Sequence, residues 1–213
     1  GNSGGRPARE EAQAGEKLAS ALADHLFHAF GGQILVNTFH AGEFRDKAAL
    51  VEMKRRQGLR ISLAFPTLNE EATVGKEILV LRTELVDRFP LLDEIAVIDS
   101  GSTDGTAAAA ARHGATVFSS RAILKKHGSY RGKGENLWKS LYVLSGDIIV
   151  WIDADISDIG PRFVCGLVGP LLARPDLSYV KAFYERPLQS GTGLVPTGGG
   201  RVTEILVRPL LSL

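Results

Sequence analysis

The apolar positions of this chain follow two rhythms. Leu18, Leu22, Leu26 and Phe30 recur at i, i+4 spacing and predict a short amphipathic helix over 16–30, ended by Gly31-Gly32. "FRDKAALVEMKRRQG" predicts a second helix, stopped by Gly58. From Arg60 short apolar runs alternate with helical spacing. "RISLAFP" reads as a strand ending at Pro66, and "NEEATVGKEILVLRTELVDRF" as a helix that Thr67 or Asn69 would cap. "LDEIAVID" is a second strand, "SGSTDGT" a polar turn, and "AAAAARHG" an alanine-rich helix closed by Gly114. "ATVFS" is a third strand, "GENLWKSLYVLSG" a helix and "DIIVWID" a fourth strand. "PRFVCGLVGPLLA" is a helix started by Pro161 and interrupted at Gly166 and Pro170. "LSYVKAFYERP" reads as a fifth strand, followed by the glycine-rich "SGTGLVPTGGGR" and helical spacing in "VTEILVRPLL".

Strands alternating with helices imply βαβ units and a mostly parallel sheet flanked by helices, an α/β fold. Burial on both faces accounts for the continuous apolar runs. The expected organisation is a disordered polar tail over 1–15, an N-terminal helical segment over 16–59 and an α/β domain over 60–213.

Composition narrows the classes of function. The 213 residues carry 25 Lys plus Arg against 24 Asp plus Glu, a formal net charge of +1, which predicts neither a nucleic-acid nor a membrane partner. Any anion site must therefore be local. No apolar run approaches the roughly 20 residues that cross a bilayer, and the start lacks the plan of a signal peptide. The single cysteine, Cys165, lies in an apolar run and reads as a core residue. A cytoplasmic location is expected.

In parallel α/β sheets ligands bind at the carboxyl ends of strands. Strand one ends in Pro66-Thr67-Leu68-Asn69-Glu70-Glu71 and strand two in Asp99-Ser100-Gly101-Ser102-Thr103-Asp104. Strand four runs into Asp153-Ala154-Asp155, and Gly198-Gly199-Gly200-Arg201 follows strand five. Asp153 and Asp155, two apart in an extended segment, would point to one side and repel each other. A hard divalent cation, Mg²⁺ or Mn²⁺, removes that penalty, and substrate phosphates usually complete its shell. In "YRGKGENLW", Gly132 and Gly134 flank Lys133 before a helix, a setting that favours anions. It is neither a Walker A loop nor a G-x-G-x-x-G fingerprint. "TGGGRVTE" offers backbone amides, the Arg201 guanidinium and the Thr203 hydroxyl to a small phosphorylated or carboxylated molecule. His25, His28, His40, His113 and His127 have no metal-ligand spacing and read as structural or solvated. Trp138 and Trp151 read as packing residues.

"PTLNEEATVG", "VIDSGSTDGT", "GKGENLWKSL", "DIIVWIDADI" and "TGGGRVTEILVRPLL" together resemble the glucosyl-3-phosphoglycerate synthases and their mannosyl-transferring relatives, glycosyltransferase family 81. The first two motifs are shared with many nucleotide-sugar transferases of the GT-A fold, whereas GKGE-x-LW and TGGGRVTE are more particular. The resemblance implies a GT-A fold and a retaining transfer of glucose or mannose from a UDP- or GDP-hexose to 3-phosphoglycerate. It implies that Pro66, Thr67, Leu68, Asn69, Glu70 and Ser100 line the nucleotide pocket. Lys133, Asp153 and Ala154 would contact the donor, and Asp155 would hold the metal. Asp155, Lys133 and Asp153 are thus the expected catalytic residues. Gly200, Arg201, Val202 and Thr203 would bind the phosphoglycerate. Compatible-solute synthesis and a homodimer are also implied. The family continues past the position of Leu213 and supplies there a metal-binding histidine, so the resemblance implies a chain truncated at its C-terminus.

Other functions stay open at this point. A GT-A transferase with a lipid-phosphate or polysaccharide acceptor fits most motifs, and so does a nucleotide-sugar-binding module without turnover. A nucleotidyltransferase would carry a basic glycine-rich loop after strand one, where this chain has "PTLNEE".

Overall fold

A computed structural model describes residues 38–182, apart from 131 and 157, together with the backbone of two short strands further on. The chain divides into two units, Gly1–His40 and Ala41–Leu213, of which the second contains the sheet and its helices. The helix expected over 16–30 and the segment 197–213 lie outside the described residues.

The second unit opens with a single turn at Ala41–Phe44 and helix α1, Lys47–Gln57. Asp46 caps α1 by accepting the Ala49 N–H at 3.0 Å, and Gly58 closes it at φ 64°, a conformation glycine adopts without strain. Strands β1 (Ile61–Thr67), β2 (Glu94–Asp99), β3 (Thr116–Ser119) and β4 (Ile148–Trp151) form one parallel sheet in the order β3-β2-β1-β4. Between them run α2 (Val74–Arg82), α3 (Thr106–Arg112) and α4 (Lys133–Ser140), and α5 (Pro161–Ala173) follows β4.

Central strand β1 explains why its sequence is apolar at nearly every position. Ile61, Leu63 and Phe65 enter the main core, shared with Ile78 and Leu81 of α2 and Val164 and Val168 of α5. Ala64 faces the opposite side, in a smaller cluster with Ile98 and Ile123 that Trp151 and Phe118 cover. Alternate residues of a strand face opposite layers, so a strand covered on both sides has no polar face. Leu50 of α1 also reaches the main core. Cys165 is buried in α5, where burial pushes its thiol up to about 11 and leaves it unreactive near neutrality.

Four expectations change. Helix α2 begins at Val74, and neither Thr67 nor Asn69 caps it. Thr67 belongs to β1 and Asn69 holds a left-handed turn at φ 59°. Thr73 precedes the helix, but its hydroxyl donates to the Ala154 carbonyl at 2.5 Å, a partner 81 residues away that local patterning does not reveal. Helix α5 continues unbroken through Gly166 and Pro170. Its glycines admit the Ala41–Phe44 turn: a Cβ on Gly169 would lie 2.1 Å from Phe44 Cγ, and one on Gly166 would lie 3.0 Å from Ala41 Cβ. The expected fifth strand is absent over 177–182, where Tyr179 is 71% exposed and no sheet neighbour among the described residues pairs with the chain. Alternation without a partner edge forms no ladder. Strand β5 instead occupies Pro187–Ser190 and pairs antiparallel with β6, Gly193–Pro196, inside the glycine-rich stretch that patterning reads as loop.

Candidate active site

The sheet order places a topological switch point between β1 and β4. From β1 the chain builds outward to β2 and β3, then returns to the other side with β4. Loops that diverge at such a point leave a crevice at the carboxyl ends of the strands. The Ala64 carbonyl accepts from the Ile152 N–H on the β4 side, so the Pro66 nitrogen faces that side too, beyond the last β4 partner at Trp151. Its missing N–H thus removes no ladder bond. A cavity of about 470 Å³ opens at this place, a size suited to a small-molecule ligand.

Much of the polar chemistry at the rim holds one loop to another. Asp99 accepts the N–H groups of Gly101 and Ser102, both at 3.0 Å, and the Ser102 hydroxyl. Asn69 donates its N–H to Ser102 Oγ at 2.9 Å and accepts the Thr103 N–H at 2.9 Å. The Glu70 N–H donates to Thr106 Oγ1 at 2.8 Å, and Glu71 accepts the Gly105 N–H at 2.9 Å. The Thr106 hydroxyl, donating to Asp104 at 2.5 Å, holds that carboxyl below its ordinary range. These bonds tie the first two strand-end loops into one unit.

The cavity itself gathers side chains from every strand end. Pro66, Thr67, Leu68 and Glu70 line it from β1, and Ser100 and Gly101 line it from β2. Asp153, Ala154 and Asp155 line it from the β4 side, and Lys133 from the start of α4. Asn69, the remaining expected donor residue, is not among the lining residues, and its carboxamide is committed to Thr103. Asp153 and Asp155 share the cavity beyond the end of β4 at Trp151, with Ala154 and Asp155 in a turn rather than in a strand. Buried Ala154 anchors that turn through its carbonyl bond from Thr73. Lys133 forms an ion pair with Asp153.

Helix α4 supplies the rigid mount. Asn136 is buried, donates to the Ile98 carbonyl at 2.7 Å and accepts from the Ser100 hydroxyl at 3.0 Å. Lys139 and Glu135 form a buried ion pair at 2.7 Å, and Lys139 also donates to the carbonyls of Ser120 and Gly128. That lysine and the Trp138 indole hold the Glu135 carboxyl below its usual range. Trp138 and Trp151 pack as expected, each donating its indole N–H, to Glu135 and Ser140 respectively. His113 packs on Gly75, and His127 lies edge-on to Trp138.

Three carboxylates, Glu70, Asp153 and Asp155, line the crevice, and a fourth, Glu77, is buried close behind them. Burial raises Glu70 above its ordinary value, and Asp155 is the next cause. Glu77, on α2 behind the Asp153–Asp155 turn, is pushed up to about 7, chiefly by burial and further by Asp155, Glu70 and Asp153. With Lys133 already paired to Asp153, Asp155 and Glu70 leave acid at the β1–β4 side of the cavity, a setting that suits a hard cation. Among the described residues no three or more His, Cys, Asp or Glu side chains form a complete metal cluster. The acids here fit a cation whose shell water and a phosphate ligand would fill.

Arg121, Gly101, Gly132 and Asn136 complete the lining and were not among the expected site residues. The rule of reading strand ends, applied to strand three, would have reached Ser120-Arg121. Asn136, inside a helix three residues past Lys133, carries no such signal. Gly200, Arg201, Val202 and Thr203 lie outside the described residues.

With this crevice on a parallel sheet, the chain belongs to the family Glycosyl transferase family 2, whose model matches residues 62–187. Its fold is the GT-A-like glycosyltransferase fold. More particularly, it is 58% identical over 180 residues to the glucosyl-3-phosphoglycerate synthase of Petrotoga mobilis, covering 84% of this chain and 55% of that protein. It is 48% identical over 160 residues to the Mycobacterium tuberculosis enzyme of the same name, covering 74% of this chain and 48% of that one. The chain thus spans about half the length of the curated relatives it matches. The crystal structure of mannosyl-3-phosphoglycerate synthase from Rubrobacter xylanophilus superposes with a TM-score of 0.70 at 39% identity, covering 82% of this chain and 53% of that one. A crystal structure of the M. tuberculosis synthase with Mn²⁺, UDP-glucose and phosphoglyceric acid gives 0.61 at 43% identity, covering 82% and 54%. No helix among the described residues is long and apolar enough to cross a membrane.

Proposed function

We propose that this chain carries the donor and acceptor sites of a hexosyltransferase that moves glucose from a nucleoside diphosphate sugar, UDP-glucose in the first place, to 3-phosphoglycerate. The observation that carries the reading is the meeting of Asp153, Asp155 and Glu70 with Lys133 in one cavity at the β1–β4 switch point. The curated relatives named as glucosyl-3-phosphoglycerate synthases support glucose over mannose. The relative crystallised with Mn²⁺, UDP-glucose and phosphoglyceric acid supports the ligand set.

In this reading Asp155 holds a Mg²⁺ or Mn²⁺ ion, with Asp153 beside it. Bound there, the cation neutralises charge on the departing diphosphate. Lys133, at the start of α4, adds positive charge on the same side. Thr67 and Ser100 face the nucleoside. The bond from the sugar C1 to the β-phosphate oxygen breaks, and a bond from C1 to the acceptor hydroxyl oxygen forms. The hydroxyl proton passes to the departing phosphate. Retention then follows from attack on the face that the leaving group vacates, without a carboxylate nucleophile. Gly200, Arg201, Val202 and Thr203 bind the acceptor phosphate and carboxylate.

The test is a donor panel (UDP-glucose, GDP-glucose, GDP-mannose) with 3-phosphoglycerate and Mn²⁺, run beside Asp155→Asn. Wild-type turnover with UDP-glucose and a loss of about 10²-fold or more in the variant is the expected result. Donor binding without turnover would leave a binding module, and an unaffected variant would remove Asp155 from the metal role. NMR of the product reads the anomeric configuration, and a trapped covalent sugar–protein adduct would overturn front-face attack.

A further inference from the structure

Two cations line the cavity, and they stand in different electrostatic settings. Lys133 is paired with Asp153, whereas no ion-pair or hydrogen-bond partner of the Arg121 guanidinium is found among the described residues. Arg121 nevertheless stands on a rigid base. It stands two residues past the end of β3, and the intervening Ser120 N–H donates to the Asp99 carbonyl at 2.8 Å. The Ser120 carbonyl accepts from buried Lys139 at 2.9 Å, and Ile123 packs beneath with Ala64 and Ile98. The guanidinium lies over Gly101, where a Cβ would come within 3.2 Å of Arg121 Cζ and Nη2. Gly101 leaves room for it.

The sheet order sets the distance from Arg121 to the acids. Arg121 follows the β3 end and Asp153 follows the β4 end, three strand intervals apart, which is roughly 14 Å at the usual spacing. An elongated ligand with its diphosphate at Asp155 and Lys133 runs back across β1 and β2. Its far end meets Gly101 and Arg121. In a nucleotide sugar that far end is the base. A guanidinium donates only and has no acceptor. The edge it can satisfy is therefore a ring carbonyl, O4 of uracil or O6 with N7 of guanine. Cytosine and adenine place an amino donor at the corresponding position.

We infer that Arg121 reads the base of the donor, accepting keto bases and rejecting their amino counterparts. This assignment rests on the donor reading given above. Arg121 touches the ligand but not the reacting atoms, so it acts on specificity.

The experiment measures binding to the full chain by calorimetry with Mn²⁺ for UDP against CDP, GDP against ADP, and inorganic pyrophosphate. The proteins are wild type, Arg121→Ala and Arg121→Lys. Wild type is expected to favour the keto member of at least one pair by about tenfold or more. Arg121→Ala brings that pair to within about threefold while pyrophosphate binding is unchanged. Arg121→Lys, which keeps charge but loses the fork, falls between. A keto preference that persists in Arg121→Ala overturns the assignment, as does a wild type without that preference. Equal weakening of pyrophosphate and of every nucleotide also overturns it, by making Arg121 a phosphate ligand. Absence of any nucleotide binding in the wild type refutes the donor reading itself, an outcome separable from the others.

Discussion

Glu77 is 2% exposed, and neither carboxylate oxygen has a hydrogen-bond partner among the described residues. The Ile156 N–H offsets part of the burial without making a full hydrogen bond. The group therefore takes up its proton at about 7 in the folded protein, against an ordinary value of 4.5. Its anionic form is what the fold disfavours. The folded state holds a proton that the unfolded chain releases, so stability declines as pH rises from the unfolded value through about 7. The decline is complete at pH 8 and amounts to on the order of 3 kcal/mol. Glu77→Gln keeps the shape and cannot ionise. The variant is expected to match wild type near pH 5 and to exceed it at pH 8, with a melting temperature higher by about 2–4 °C for each kcal/mol. Urea unfolding of both proteins across pH 5 to 8.5 measures the difference directly. A difference that stays flat over that range, or a variant less stable at pH 8, refutes the argument that burial and the Asp155, Glu70 and Asp153 charges hold this proton.

Two further substitutions test the architecture. Lys133→Met removes the partner of Asp153 and one positive charge from the cavity. UDP affinity should fall about tenfold while Mn²⁺ alone binds at least as tightly as before, by calorimetry; weakened Mn²⁺ binding would contradict the role given to this lysine. Gly169→Ala places a methyl where Phe44 Cγ would be 2.1 Å away. It should cost about 1–3 kcal/mol in chemical denaturation, and an unchanged midpoint would show that the Ala41–Phe44 turn does not need that close approach.

The acids at the ends of β2 and β4 stood out in the sequence because each of those strands is an apolar run that stops at a carboxylate. A strand buried on both faces has no use for a carboxylate, so Asp99, Asp153 and Asp155 mark strand ends by their position alone. Not every polar strand-end residue faces the ligand cavity, however. Asn69, Glu71, Ser102 and Asp104 spend their hydrogen bonds between the first two loops. A sequence lists donors and acceptors without their partners, so residues that bind and residues that brace look alike. The strand misread over 177–182 has a related cause, since alternation shows in a sequence whether or not an edge is available to pair with it.

Local pattern was enough for the α/β class, the four parallel strands, and the grouping of Lys133, Asp153 and Asp155 as candidate chemistry. These depend on periodicity and on the cost of burying charge, both of which are written residue by residue. Long-range packing was needed to put β3 at the opposite side of the sheet from β4, and so to make Arg121 face the cavity across Gly101. The same packing set Glu77 behind the Asp153–Asp155 turn and gave Thr73 a partner at Ala154. Those relations join residues dozens of positions apart, and their energies come from the strand order and from burial, neither of which is a property of any single stretch of chain.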